Sequence, residues 1–560
     1  MTTETTGQRK RLVELAWFAV AIAIACVAFN VIEYGRLASW RTFVAVYHSR
    51  ALFEALVYLG TYVVAAAAIV AALFSRTTVV RWVTLGFVFV FLGLDLCCRR
   101  VTGENVGFSQ VHMTFSELSF AGEFFSAYGA SVGKAALLAT LIAAACFALV
   151  HFVRLRLHPA WLGLVPLSAV LIYAVLWKTV AFTDIYPSAL RIPVLAAYVS
   201  MNSLYVGPRR PVPLTARRSD RPRVLILIVD ESIRGDYLAI NGFAKDTTPF
   251  LASISDQYLN FGIACSATNI SSGTNMVLQS GLRADECPDR AQLALKLPSI
   301  FQYAQAAGYR TCFLDGQSSP GDLSNFMTRD DLDHIDVFYQ VTADEQEHGR
   351  KHQRDQLLVR RITEIMAEGD PVYIYVNKYG AHFHYENTYP SDQRRFEPTM
   401  QPQAPIDASS REEVANSYAN SILWNVDRFF ELLVPTLDLA DTVVLYTSDH
   451  GQSFKEQMGV STHADRRNPP ASQANVPLLA WGGFLEQRFP DRGSALRDRT
   501  DHFRLFPSQL ILMGYEEAEV KVRYGPPLWA APSPRRVFLS GDLFGRGIVQ
   551  INGFDEKEGS

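Results

Sequence analysis

Five long apolar runs dominate the first third of the chain, at about 15–33, 51–74, 79–98, 135–153 and 161–182. A helix needs about 20 apolar residues to cross the hydrocarbon core of a bilayer. A single run of this kind suits a buried core helix as well. Five in succession predict a helical transmembrane bundle over residues 1–183. The first run does not read as a cleaved signal peptide, because no small-residue cleavage site is evident and more apolar runs follow it.

Short-loop charges set the expected orientation. Arg9, Lys10 and Arg11 precede the first run, Arg76 and Arg81 flank the turn between the second and third, and Arg154 and Arg156 follow the fourth. The positive-inside rule puts these in the cytoplasm. The loop over about 99–133, with Glu104, Glu117 and Glu123, then lies outside, and so does everything after the fifth span. Arg36, Arg41, Arg99 and Arg100 run against this orientation. Glu54 and Asp95 sit within or at the edges of apolar runs, where a charge marks either an interface or a function.

Residues 184–222 separate the halves. The stretch 184–205 is amphipathic and predicts a helix lying along the membrane surface. The stretch 207–223 (GPRRPVPLTARRSDRPR) reads as a basic, proline-rich linker, either resting on anionic headgroups or simply solvated. Residues 223–560 have the composition of a water-soluble domain. A net charge of -3 over 560 residues supplies no broad basic field, which argues against nucleic acid as a partner. Of seven cysteines, Cys265, Cys287 and Cys312 fall in this half. A Cys265–Cys287 disulfide and three free thiols are both open readings.

The soluble half alternates short β-rich runs with helical patterns. Val224–Val229 is wholly apolar, as are 372–376 and 442–446, with further runs at 476–481 and 310–314. Such strands are buried on both faces, which predicts an α/β domain with a mainly parallel sheet. The first run ends in Asp230-Glu231-Ser232, the third leads to Lys378, Tyr379, His382 and His384, and the fourth ends in Ser448-Asp449-His450-Gly451. Ligands of open α/β sheets bind beyond the carboxyl ends of the strands. Carboxylate oxygen and imidazole nitrogen emerging there suit zinc. Ser271-Ser272-Gly273-Thr274 looks like a turn entering a helix. A hydroxyl at such a place is either a helix cap or a nucleophile beside free N–H groups that favour phosphate.

These residues resemble the phosphoethanolamine transferases that modify lipid A and related envelope acceptors, membrane-anchored members of the alkaline phosphatase and sulfatase superfamily. The segment 224–251 is similar to the family's opening strand and acidic ligand, which falls on Glu231. SSGTN at 271–275 resembles the nucleophile motif and implies Thr274 as catalytic residue and metal ligand. TSDHGQSF at 447–454 implies Asp449 and His450 as further zinc ligands. YGAHFHYENTYP at 379–390 suggests His382, and the STH ending at His463 suggests that residue, as substrate-site histidines. The chain departs from its relatives in lacking the cysteines around the nucleophile. LDGQSSPGDLSNF at 314–326 replaces a Lys-bearing headgroup segment, leaving Asp315 or Gln317 to meet an ammonium group.

The resemblance implies one tightly bound Zn2+, with room for a second. It implies a multi-pass protein of the inner membrane with a periplasmic catalytic domain. The donor would be phosphatidylethanolamine, the intermediate a phosphothreonine, and the acceptor lipid A or another envelope glycan. The alternatives are a phosphoglycerol transferase of the same superfamily, a sulfatase-like hydrolase, and an inactive membrane protein that binds envelope lipids.

Overall fold

The computed structural model describes the chain apart from residues 1, 35–42, 45–46, 49–51, 109, 112–126, 154, 179–184, 203, 343–344, 347–349, 403, 455–461, 490, 548 and 556–560. Arg36, Arg41, Glu117, Glu123 and Arg154 therefore lie outside the described residues. The chain divides into two compact units, Met1–Ser203 and Leu204–Ser560.

The first unit is helical: α1 (Thr2–Tyr34), α2 (Leu52–Leu73), α3 (Thr78–Thr102), α4 (Gly129–Phe152), α5 (Leu164–Lys178, entered through a 3-10 turn) and α6 (Ser188–Met201). The first five supply five segments long and apolar enough to cross a membrane. Helix α2 is the most enclosed, with 67% of its apolar window buried. Its run of alanines, Ala65–Ala68 and Ala71–Ala72, is what lets neighbouring backbones approach.

The two acids of the apolar runs, Glu54 and Asp95, are both partnered. Glu54 takes Lys178 at 2.9 Å. Asp95 is buried and receives Arg191 at 2.6 Å, Asn105 at 2.5 Å and the Val106 N–H at 2.7 Å. Arg191 stands on α6, so the helix expected along the membrane surface is tied by a buried ion pair to α3.

In the second unit a seven-stranded sheet runs in the order β2-β7-β6-β1-β5-β3-β4. Its strands are β1 (Val224–Asp230), β2 (Leu259–Cys265), β3 (Arg310–Asp315), β4 (Val337–Gln340), β5 (Val372–Asn377), β6 (Thr442–Ser448) and β7 (Asn475–Trp481). Pairings β1/β5, β1/β6, β3/β5 and β3/β4 are parallel, while β7 runs antiparallel to both β6 and β2. The central strands β1, β5 and β6 are buried at every position. That is why their sequences read as continuous apolar runs rather than alternating ones. The expected parallel α/β domain is present, with β2 and β4 as additional edge strands too weakly patterned to stand out.

The segment 204–223 is not a free linker but part of the second unit. Arg209 pairs with Asp331, and Arg223 reaches Asp441 at 2.7 Å. Val212, Leu214 and Ala216 pack against the main core. Its prolines keep it extended while Arg209 and Arg223 serve the domain's own acids. All seven cysteines are free. Cys265 lies with Ala474 and Phe538, whereas Cys287 packs in a separate cluster with Met276 and Leu543, so the disulfide reading is set aside.

Candidate active site

Sheet register builds the site. Asp230 at the end of β1 stands opposite Ser448 at the end of β6. The next residues of each strand, Glu231 and Asp449, therefore emerge side by side. His450 follows, and the ligand atoms of these three residues lie within 4.8 Å of one another. The imidazole Nε2 is 3.6 Å from Glu231 Oε1 and 3.6 Å from Asp449 Oδ2. All three side chains are buried.

Each ligand is oriented by a second contact. His450 Nδ1 lies 2.8 Å from the Gly451 carbonyl, which takes its proton and leaves the Nε2 lone pair facing the cluster. Asp449 Oδ1 accepts the N–H groups of His450 at 2.6 Å and Ser232 at 2.9 Å. Glu231 Oε1 accepts from Ser232 Oγ at 2.6 Å. Gly451 is required by packing, because a Cβ there would stand 2.1 Å from the Ser472 carbonyl oxygen.

Asp449 Oδ2 is buried and has no hydrogen-bond partner. Burial, and then the neighbouring Asp449 carboxylate, push the Glu231 carboxyl well above its usual range. Two buried carboxyl groups beside an imidazole lone pair, one with an oxygen that no donor reaches, form a place that can hold a cation. The donor set, two oxygens and one nitrogen, fits zinc.

The hydroxyl that meets this cluster belongs to Ser271, not Thr274. Helix α7 (Ser271–Ser280) starts after Ile270, which has extended geometry, so Ser271 is its first residue. Ser271 Oγ is 3.2 Å from His450 Nε2 and 3.4 Å from Glu231 Oε2. Thr274 lies nearly one turn further along. Its hydroxyl accepts the Thr268 N–H and donates to the Thr268 carbonyl, both at 3.2 Å, and lies 3.1 Å from Thr268 Oγ1. Thr274, expected to point into the cluster, is turned to Thr268 instead, and Ser271 stands at the cluster. Thr274 pins the segment entering the helix, and the residue exposed at the helix start is the serine. The sequence shows this segment only as a turn entering a helix, which leaves both hydroxyls open.

The remaining predicted residues divide. The His463 ring stacks on His450 with centroids 4.2 Å apart. Burial, then the His450 and His382 charges, push the His463 imidazole well below its usual range, so it is neutral. His382 lies beside Tyr379, ring centroids 5.5 Å apart, on the turn after β5. Gln317 donates to Glu231 Oε2 at 3.0 Å and to the Lys378 carbonyl at 2.8 Å, so it orients the acid.

Asp315 is buried and does not face the site. Its carboxylate accepts from Gln317 N at 2.8 Å, Asn377 Nδ2 at 3.0 Å, Ser318 N at 3.4 Å and Gln340 Nε2 at 3.3 Å. It closes the turn after β3 and has no room for an ammonium group.

Residues 223–515 match the profile of the sulfatase family. This chain belongs to the sulfatase family. Among relatives, this sulfatase-family chain is 29% identical over 288 residues to the Kdo(2)-lipid A phosphoethanolamine 7''-transferase of Salmonella typhimurium, covering 50% of this chain and 48% of that protein. It is 28% identical over 315 residues to the phosphoethanolamine transferase EptA of the same organism, covering 53% of this chain and 54% of that protein. The chain thus spans about half the length of the curated relatives it matches. Among solved structures, the integral membrane lipooligosaccharide phosphoethanolamine transferase A of Neisseria meningitidis superposes with a TM-score of 0.63 at 18% identity, covering 92% of this chain and 99% of that one. That likeness is one of fold.

Proposed function

We propose that this protein transfers phosphoethanolamine from phosphatidylethanolamine, through a phosphoserine at Ser271, to lipid A or another envelope glycan on the periplasmic side of the inner membrane. The observation that carries the reading is the Ser271 hydroxyl, 3.2 Å from His450 Nε2 at the start of a helix and beside a buried acid pair. The relatives named above are phosphoethanolamine transferases, and five helices long and apolar enough to cross a membrane suit an enzyme whose substrates are lipids.

Glu231, Asp449 and His450 would hold a zinc ion, whose Lewis acidity lowers the pKa of a nearby hydroxyl and offsets phosphoryl charge. Ser271 Oγ attacks the donor phosphorus, forming the Oγ–P bond while the bond from phosphorus to the diacylglycerol oxygen breaks. The serine proton passes to that departing oxygen, a transfer we assign to His463 and His382. The free N–H groups at the start of α7 stabilise the phosphoryl oxygens. An acceptor oxygen then attacks the same phosphorus, the Oγ–P bond breaks, and the acceptor's proton passes to Ser271 Oγ, which restores the serine.

Incubation of the purified full-length protein with phosphatidylethanolamine vesicles, followed by proteolysis and fragment-ion mapping, tests this. One phosphoethanolamine on Ser271 is expected. Modification of Thr274, or of neither residue in an active preparation, would overturn it. A glycerol headgroup is the second reading, because the carboxylate expected to meet the ethanolamine ammonium, Asp315, is consumed inside the fold. Label transfer from phosphatidylglycerol rather than phosphatidylethanolamine would establish that reading instead.

A further inference from the structure

Beneath the cluster lies a charged group that the transfer chemistry does not use. Lys378 follows β5 and is fully buried. Its ammonium is 2.5 Å from Asp230 Oδ2 and 3.5 Å from Asp355 Oδ2, and it donates to the Asn425 carbonyl. The Phe429 ring centroid lies 4.1 Å away, and the Tyr446 hydroxyl donates to the same Asp230 oxygen at 2.9 Å. A buried ammonium is costly unless it is fully paired, so this arrangement must hold something in place.

The two carboxylates show what is held. Asp230 Oδ1 accepts the N–H of Glu231 at 3.0 Å, which sets the backbone of a proposed ligand. Asp355, from helix α8 (Arg354–Ala367), spends its two oxygens on the N–H groups of Tyr379 at 2.8 Å and Gly380 at 3.1 Å. Those residues begin the turn that carries His382. The turn lies directly on the ligand segment, since Ala381 N donates to the Glu231 carbonyl at 3.1 Å. A Cβ on Gly380, where φ is +55, would stand 2.3 Å from Asp230 Oδ1 and 2.7 Å from the Glu231 carbonyl oxygen.

The third contact reaches a helix. Asn425 sits in a π-helical turn, Leu423–Asp427, and its own amide donates to the Thr388 carbonyl at 3.0 Å. Such wide turns commonly mark functional sites. One ammonium thus joins the segment bearing Glu231, the turn bearing His382 and the helix behind both.

We propose that Lys378 is a positioning residue that keeps Glu231 and the His382 turn in register and thereby sets the zinc affinity of the site. This rests on the metal-site reading above. Two effects of removing the lysine oppose one another. Loss of its charge alone makes the surroundings more negative and would strengthen the hold on a dication. Loss of register weakens it, because residues that orient ligands typically contribute about 10–100-fold to metal affinity. Lys378 touches the backbone supports of two loops and no ligand side chain, so register decides the sign.

The experiment is zinc competition against a chromophoric chelator, on full-length protein in detergent, for wild type, Lys378→Met and the double variant Asp230→Asn/Lys378→Met. The double variant restores the net charge and removes the unpaired carboxylate, yet lacks the bridge. Affinity per folded molecule should fall about 10–100-fold in both. Unchanged or tighter binding in either folded variant would overturn the proposal. Wild type that holds no zinc would instead overturn the metal site itself.

Discussion

Ser271 Oγ and His450 Nε2 lie 3.2 Å apart although 179 residues separate them in the chain. Two independent pieces of geometry produce the contact. One is the β1/β6 register, which brings His450 to the carboxyl ends of the central strands. The other is the start of α7 at Ser271, which brings the helix N-terminus to the same place.

The serine therefore separates cleanly from the threonine. Ser271→Ala should reduce transfer by on the order of 10^3-fold or more, since a covalent route has no substitute nucleophile. Thr274→Val keeps the shape and removes buried hydrogen bonds, which costs about 1–3 kcal/mol of stability and leaves turnover of the folded protein within about tenfold. Initial-rate assays paired with thermal denaturation distinguish the two. Equal loss of turnover in both variants would refute the assignment.

Gly451 tests the support of the metal site without altering a ligand. A Cβ there meets the Ser472 and Asn475 carbonyl oxygens at 2.1 and 2.5 Å, so the backbone must shift, and the carbonyl that orients His450 moves with it. Gly451→Ala should lower zinc affinity by about 10–100-fold. Chelator competition measures this, and wild-type affinity in the variant would show that the carbonyl does not orient the imidazole.

His502 makes stability depend on pH. It is buried between the Ala267 N–H, 3.3 Å from Nδ1, and Thr447 Oγ1, 2.8 Å from Nε2. Burial pushes its imidazole down to about 3. The unfolded chain binds the proton near pH ~6.5 and the folded chain does not. Stability from this group is therefore complete above about pH 6.5 and is lost as pH falls toward 3. His502→Gln should flatten that slope in denaturant melts between pH 4 and 7 (roughly the window set by the two values). An unaltered slope would count against it.

The pair of Arg191 and Asp95 predicts a strong stability effect in the helical unit. Both side chains are buried, and Asp95 accepts two further hydrogen bonds. Removing one partner should cost about 3–5 kcal/mol. Arg191→Met and Asp95→Asn are each expected to melt earlier in detergent, with the double variant milder than the sum. Strict additivity would mean the two residues act independently.

The sequence alone located five helices long and apolar enough to cross a membrane, a mainly parallel α/β sheet and the acids and imidazole at its strand ends. These were legible because the causes are local. A bilayer span needs unbroken apolar length, and a strand buried on both faces needs unbroken β-rich apolar residues. Glu231, Asp449 and His450 follow such strands directly, so locating the strands located the residues that come together in the cluster.

Tertiary structure decided what long-range packing controls. Thr274 and Ser271 differ by less than one helical turn, and only the helix boundary and its approach to the sheet show which hydroxyl meets the cluster. Asp315 was a free acid in the sequence, yet four donors from three segments close around it. Arg209 and Arg223 read as linker charges, either on headgroups or solvated, until Asp331 and Asp441 came into reach. In each case the residue type was visible in the chain. Its role was fixed by partners distant in sequence, which approach only when the sheet and its covering helices form.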